Sequence, residues 1–252
     1  MSDASRLHLT GERRLPAGLQ VFDDAPALAR AAADWLAHRI ERSGVRFTLC
    51  LAGGSTPRPV YELLSAPRYR ALPWDRVHWF WGDERFVPEN SPDSNYGMAR
   101  EALLSRLDVP SANIHPIPTR GVTPEQAAAR YEAELMTQYG AESLDPVRPL
   151  FDVTLLGLGE DGHTASLLPG QPVLEETRRW VAAVVAGRPQ ARITLTYPAL
   201  ESSGTVLFLV SGASKRNILS EVLSRRSEAP AAHLQPQGEL LWFADRAAAP
   251  GR

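Results

Sequence analysis

The run Arg46-Phe47-Thr48-Leu49-Cys50-Leu51-Ala52, followed at once by Gly53-Gly54-Ser55-Thr56-Pro57, decides the fold class. Its apolar residues occupy consecutive positions, the pattern of a strand covered on both faces. Two glycines end it. Thr56-Pro57 then pairs an N-cap residue with proline at the first position of a helix expected over 57–65. Strand, tight turn and helix in that order are the unit of an α/β sheet. Working outward, further strands are expected at 76–81, 151–158, 180–185, 192–197, 205–211 and 240–244, short apolar runs rich in β-formers and mostly ended by Gly or Pro. Helices are expected near 25–43, 94–107, 123–139 and 213–225, and Thr123-Pro124 with Gln126 forms a capping box. The alternation predicts one α/β domain over 1–252 with helices on both faces of the sheet. Residues 1–20 and 246–252 read as peripheral tails, and the Pro-rich stretches 108–124 and 186–190 as surface loops.

Composition narrows the function classes. The chain has 252 residues with a formal charge of −2 and no basic block, which gives no support to nucleic-acid or membrane-surface binding. The single cysteine, Cys50, lies inside the apolar run, so it is expected to be a buried thiol without an internal partner. Residues 1–20 lack the apolar stretch of a signal peptide, and no run approaches a membrane span. A soluble cytoplasmic protein is the expectation. Lysine and arginine together number 27, yet only Lys215 is a lysine.

Ligands of an open α/β sheet bind beyond the carboxyl ends of its strands. Four expected strands end in glycine plus groups able to hold phosphate or move protons: Gly53-Gly54-Ser55-Thr56-Pro57, Gly82-Asp83-Glu84-Arg85, Gly159-Glu160-Asp161-Gly162-His163-Thr164 and Gly212-Ala213-Ser214-Lys215. The first reads as an anion cradle, with close backbone N–H groups, two hydroxyls and a helix amino terminus, or as a plain capped turn. It lacks the lysine of a Walker loop and the last glycine of a nucleophile elbow. Gly157-Leu158-Gly159-Glu160-Asp161-Gly162 fits the dinucleotide pattern G-x-G-x-x-G. Two acids inside the turn would repel a pyrophosphate, however, and Pro169-Gly170 leaves little room for the helix such a site needs. The same turn makes His163 a candidate general base, with Asp161 beside it, against the alternative of a structural histidine. Asp83-Glu84-Arg85 is open between a surface turn and a site. Lys215 falls in the first turn of its expected helix, where the dipole disfavours a cation unless an anion shares the terminus, so it is read as a phosphate ligand.

Together these runs, with Ser94-Asn95-Tyr96, Gly157-to-Ser166, Arg192-Ile193-Thr194-Leu195-Thr196 and Ser211-to-Lys215 in the same order, resemble the 6-phosphogluconolactonase family over about residues 20–245. Leu168 and Glu201 are small departures from its pattern. The resemblance implies a Rossmann-like, doubly wound, mostly parallel sheet, as in the related glucosamine-6-phosphate deaminases. It also implies hydrolysis of 6-phosphoglucono-δ-lactone with no cofactor and no metal. His163 would serve as base and Asp161 would orient it or a sugar hydroxyl. Gly53, Gly54, Ser55, Thr56, Lys215 and Arg192 would hold the phosphate, while Asp83, Arg85 and Asn95 would contact the sugar or its developing oxyanion. Arg192 opens its expected strand. Reaching a carboxyl-end cleft therefore requires that strand to run antiparallel, or the preceding loop to fold across.

Two other readings compete. A deaminase/isomerase of the same fold carries a glutamate before the proline that follows its Asp-Gly-His segment; Leu168 stands there and cannot move a proton. A sugar-phosphate sensor of a transcription regulator would need a DNA-binding unit, for which the leading residues are expected to leave no room. The oligomeric state, monomer or homodimer, stays open.

Overall fold

The computed structural model describes residues 18–224 and 227–251. In chain order the elements are β1 (Leu19–Phe22), α1 (Ala25–Glu41), β2 (Phe47–Leu51), α2 (Arg58–Leu64), β3 (Val77–Trp81), β4 (Asp83–Arg85), α3 (Asn95–Ala102) and α4 (Pro124–Tyr139). They continue with β5 (Phe151–Gly157), β6 (Val181–Val184), β7 (Arg192–Leu195), α5 (Tyr197–Glu201), β8 (Ser203–Val210), α6 (Arg216–Leu223), α7 (Pro230–His233) and β9 (Glu239–Asp245). Six strands form a parallel sheet in the order β1-β9-β8-β5-β2-β3. The chain moves outward from β2 to β3 and then returns to the other side of β2 with β5. The topological switch point lies between β2 and β5, and a ligand of this fold class binds at the carboxyl ends of those two strands.

Burial follows from the sequence pattern. Phe47, Leu49, Cys50 and Leu51 of β2, Trp79, Phe80 and Trp81 of β3, and Val206 to Val210 of β8 are all buried, as consecutive apolar positions require of strands covered on both faces. Burial also pushes the Cys50 thiol well up from its ordinary value. Helix α1 is capped by Asp24, whose Oδ1 accepts from the Ala27 N–H at 2.7 Å. It buries Leu28, Ala32, Leu36 and Ile40 and packs against α2 and β9. The capping box of α4 forms with both hydrogen bonds present.

Several expectations change. The strands expected at 180–185 and 192–197 do not join the parallel sheet. As β6 and β7 they form a separate antiparallel sheet in the order β4-β7-β6, whose third strand is the charged tripeptide Asp83–Arg85. Thr56 caps nothing: Pro57 is the N-cap of α2, in helical backbone conformation, and no side-chain cap is made. The helix expected over 94–107 ends at Ala102 and continues as a separate 3₁₀ turn, Leu104–Arg106. The helix expected over 213–225 begins as a 3₁₀ turn, Ala213–Lys215, before α6, and its expected end at residue 225 lies outside the described residues. Of the tails, residues 1–17 and residue 252 lie outside them too.

Candidate active site

The four glycine-ended runs meet in one cleft of about 220 Å³ at the carboxyl ends of β2, β3, β5 and β8. Gly53, Gly54, Ser55, Thr56, Asp83, Arg85, Asn95, His163, Arg192 and Lys215 all line it. Asp161 does not line it; it stands behind His163.

The turn after β5 is tight, with Gly162 N–H donating to the Gly159 carbonyl and Gly159 N–H to the His163 carbonyl. No helix follows it, so the G-x-G-x-x-G spacing is not a dinucleotide turn. Gly159 is obligatory for a steric reason. A Cβ there would lie 2.0 Å from His163 Nδ1 and 2.7 Å from Asp161 Oδ1. His163 Nδ1 is 2.5 Å from Asp161 Oδ1, and Asp161 Oδ2 accepts from Arg188 Nη2 at 2.6 Å. Burial works to raise the Asp161 carboxyl, but the hydrogen bonds from His163 and Arg188 outweigh it and hold the group well below the usual carboxylate range. An ionised carboxylate only accepts, so Nδ1 carries the proton and donates it to Asp161, leaving Nε2 as the ring nitrogen with a free lone pair. This pair can take a proton at Nε2 and stabilise the imidazolium that results.

The second face of the cleft is built on the small antiparallel sheet. Its register sets Arg85 opposite Arg192 and Asp83 opposite Thr194. Antiparallel pairing thus brings the first residue of β7 to the cleft, one of the two routes that its position demanded. Asp83 is 7% exposed and its carboxylate is already engaged. Oδ2 accepts from Ser166 Oγ at 2.6 Å and faces Arg192 Nη1 at 3.8 Å, and Oδ1 accepts from Asn95 Nδ2 at 3.2 Å. Asn95 Nδ2 also donates to the Asp83 carbonyl at 2.8 Å. A Cβ on Gly53 would collide with the Asn95 side chain at 1.8 Å, so this glycine lets the first loop close on α3. Arg85 is steadied by donating from Nη1 to the Asp93 carbonyl at 2.7 Å. The Nε atoms of Arg85 and Arg192 are buried without a hydrogen-bond partner among the described residues.

The third part is the cradle. Among the described residues, neither the N–H groups of Gly54, Ser55 and Thr56 nor the two hydroxyls have a protein partner. Lys215, half-buried, enters the same cleft from the end of its 3₁₀ turn. Asp245 fixes the preceding loop, accepting from Ser211 Oγ at 2.5 Å and from the Gly212 N–H at 3.1 Å. Donors and cations facing one small cavity favour a compact anion.

Three further residues hold the site together, two of them inside runs that the sequence marks without giving them a role. Glu84 is buried and accepts from the N–H groups of Arg85, Asn95 and Tyr96 and from Ser94 Oγ, tying β4 to the start of α3; burial pushes its carboxyl up. Ser166 belongs to the Gly157-to-Ser166 run, so a local signal existed. Arg188 sits in the 186–190 stretch, which reads as an exposed loop, and nothing near it in sequence marks it.

A family model described as "Glucosamine-6-phosphate isomerases/6-phosphogluconolactonase" matches residues 23–242. The chain is 47% identical over 204 residues to a 6-phosphogluconolactonase of Synechocystis, covering 80% of this chain and 82% of that one. It is 42% identical over 237 residues to a 6-phosphogluconolactonase of Nostoc, covering 91% and 96%. The crystal structure of 6-phosphogluconolactonase from Thermotoga maritima superposes with a TM-score of 0.77 at 32% identity, covering 90% of this chain and 99% of that one. A doubly wound sheet with its cleft at the switch point, holding an Asp–His pair opposite an anion cradle, is the architecture of a sugar-phosphate enzyme. The chain belongs to the glucosamine-6-phosphate isomerase/6-phosphogluconolactonase family.

Proposed function

We propose that this chain hydrolyses 6-phosphoglucono-δ-lactone to 6-phosphogluconate, the second step of the oxidative pentose phosphate pathway. The observation that carries the reading is the His163–Asp161 pair, with Nδ1 committed and Nε2 free, in a cleft also lined by the Gly53-to-Thr56 loop, Arg85, Arg192 and Lys215. His163 Nε2 takes a proton from water as the water oxygen attacks the lactone carbonyl. Arg85 stabilises the oxyanion that forms. Collapse of the tetrahedral intermediate breaks the bond to the ring oxygen, and the His163 imidazolium returns its proton to that oxygen, giving a hydroxyl and a carboxylic acid that releases its remaining proton to solvent as the carboxylate. Gly53 to Thr56, Lys215 and Arg192 hold the phosphate. Asp83 and Asn95 keep Arg192 and the first loop in place while facing the sugar. The chain acts as one lactonase domain in the cytoplasm, on a small molecule, without nucleic acid or membrane; no helix among the described residues is long and apolar enough to span a bilayer.

Leu168, where a deaminase carries its glutamate, is buried at 1% exposure and offers no proton-transfer group, which favours the lactonase over the isomerase side of the family. The decisive assay follows 6-phosphogluconolactone loss on purified protein, corrected for spontaneous opening, beside ammonia release from glucosamine-6-phosphate. Catalysed lactone opening without ammonia is expected. Ammonia release, or lactone opening at the spontaneous rate, would overturn the reading.

A further inference from the structure

We propose that Arg188 is a positioning residue for this reaction, clamping Asp161 on the oxygen that His163 leaves unused and setting a positive charge against the imidazole. The inference rests on the lactonase reading above. Its geometry is specific. Arg188 Nη2 donates to Asp161 Oδ2 at 2.6 Å and stands 3.3 Å from His163 Nδ1, while Nη1 donates to the Gly187 carbonyl at 3.1 Å.

Asp161 is 39% exposed at its side chain, and among the described residues its carboxylate has no donor besides the His163 ring except Arg188 and the His163 backbone N–H, which shares Oδ1 at 3.2 Å. Without Arg188, Oδ2 would face water and the carboxylate plane could turn. With it, each oxygen has its own partner and the imidazole it holds is fixed in azimuth. The loop that supplies Arg188 is itself anchored. It joins β6 to β7, turns at Gly187 with φ +85°, and is tied on its far side by Gln190 Nε2 donating to Asp93 Oδ2 at 2.9 Å. One segment thus touches both the turn that carries Asp161 and the loop that precedes α3.

The charge has a separate consequence. Asp161 favours the imidazolium, and a guanidinium beside the same ring opposes it. The other charged groups facing this cleft are Asp83, Arg85, Arg192 and Lys215. Arg188 is the cation that shares the Asp161 carboxylate with His163, so its removal strengthens the hold of Asp161 on a protonated ring. An exposed ion pair of this kind contributes little to global stability, so variants at 188 are expected to fold.

The test uses three substitutions with the whole chain. Arg188→Ala should lower kcat about 10-fold through loosened geometry. KM should stay nearly unchanged, and the acidic limb of the kcat/KM profile should move to higher pH by roughly half to one unit. Arg188→Gln keeps a donor without charge, so it should recover kcat yet show the displaced limb. Arg188→Lys should leave the limb in place and recover part of kcat. Titration of the His163 imidazole by NMR, without substrate, should show the same displacement in Arg188→Ala and Arg188→Gln. An unmoved limb and an unmoved His163 titration in Arg188→Ala would overturn the proposal. So would a raised KM with kcat preserved, which would make Arg188 a substrate ligand. If the wild type opened no lactone, the reaction reading would fall, and the NMR arm would still decide what Arg188 does to His163.

Discussion

His115 and His163 each hold a carboxylate through Nδ1, and only one of them is built for chemistry. His115 Nδ1 lies 2.8 Å from Glu134 Oε1, much as His163 Nδ1 lies 2.5 Å from Asp161 Oδ1. The difference is at the other ring nitrogen. His115 Nε2 is 3.2 Å from His78 Nδ1, its ring stacks on Phe80 with centroids 4.5 Å apart, and the residue is 6% exposed. Burial above all, with Arg46 nearby and against the pull of Glu134, lowers the His115 ring from its ordinary value. Both its nitrogens are therefore engaged, Nε2 by His78 and Nδ1 by Glu134. His163 has one nitrogen satisfied and the other open to the cleft. A carboxylate–histidine pair is common structural hardware; an unspent nitrogen facing a polar cavity is what separates a base from a brace.

Removing each imidazole in turn has the largest expected effect. His163→Ala should lower kcat by about 10²–10⁴-fold with modest change in KM. His115→Ala should leave kcat near the wild-type value and lower the melting temperature, because it opens a hole beside Phe80 and leaves His78 without a partner. Comparable losses of kcat in the two variants would show that the free nitrogen is not the deciding feature.

Next in size is the anion side of the same cleft. A charge-assisted hydrogen bond to a non-reacting phosphate contributes roughly 1.5–3 kcal/mol of uniform binding, so Lys215→Ala should raise KM for 6-phosphogluconolactone by about 10- to 150-fold and leave kcat largely intact. Unphosphorylated gluconolactone should be hardly affected. Equal weakening of both lactones would remove Lys215 from the phosphate site.

The partners of the two rings give a smaller contrast. Asp161→Asn loses the charge that steadies the imidazolium and sets its amide NH2 against a donor, Arg188 Nη2 or His163 Nδ1–H, and a fall in kcat of at least about 10-fold is expected. Glu134→Gln should leave kcat unchanged. Steady-state kinetics at neutral pH, with thermal melts as a folding control, would read both.

The smallest effect concerns pH and stability. Burial, with Arg46 and His115 close by, lowers the His78 ring to about 4. Its folded value lies below the unfolded one of about 6.5, so the unfolded chain binds more protons between them. The stability from a neutral His78 is complete above about pH 6.5 and is lost as the pH falls toward 4. Because His78 is partly exposed, solvent screening holds this to no more than about 1 kcal/mol, or roughly 2–4 °C in melting temperature. His78→Gln should flatten the fall in melting temperature between pH 7 and pH 5. An undiminished fall would place the acid sensitivity elsewhere.

Most of the parallel sheet was legible because its signals are local. Consecutive apolar residues in β2, β3, β5 and β8 report double-sided burial, and a glycine at each carboxyl end reports a turn with close backbone approach. Ligands gather at those ends, so one rule suffices to bring Gly53, Asp83, His163 and Lys215 to one place from the sequence alone. The helix signals were read with less success. Thr123 caps α4 as its spacing says, whereas Thr56 leaves α2 uncapped and faces the cleft.

Most elements taken singly are legible in the chain: the longer apolar runs that form strands, the turns that end them, and the polar groups that wait there. Periodicity and turn chemistry act over a few residues and are written in the order of the chain. Only the tertiary structure decided that the charged tripeptide Asp83–Arg85 is a strand, that it pairs antiparallel with Arg192–Leu195, and that an exposed loop brings Arg188 onto Asp161. No local propensity makes Asp-Glu-Arg a strand. Its conformation comes from backbone hydrogen bonds to residues far along the chain, and the partner of Asp161 from the path of a loop between two strands. Such contacts are set by the mutual fit of packed elements rather than by neighbours in sequence.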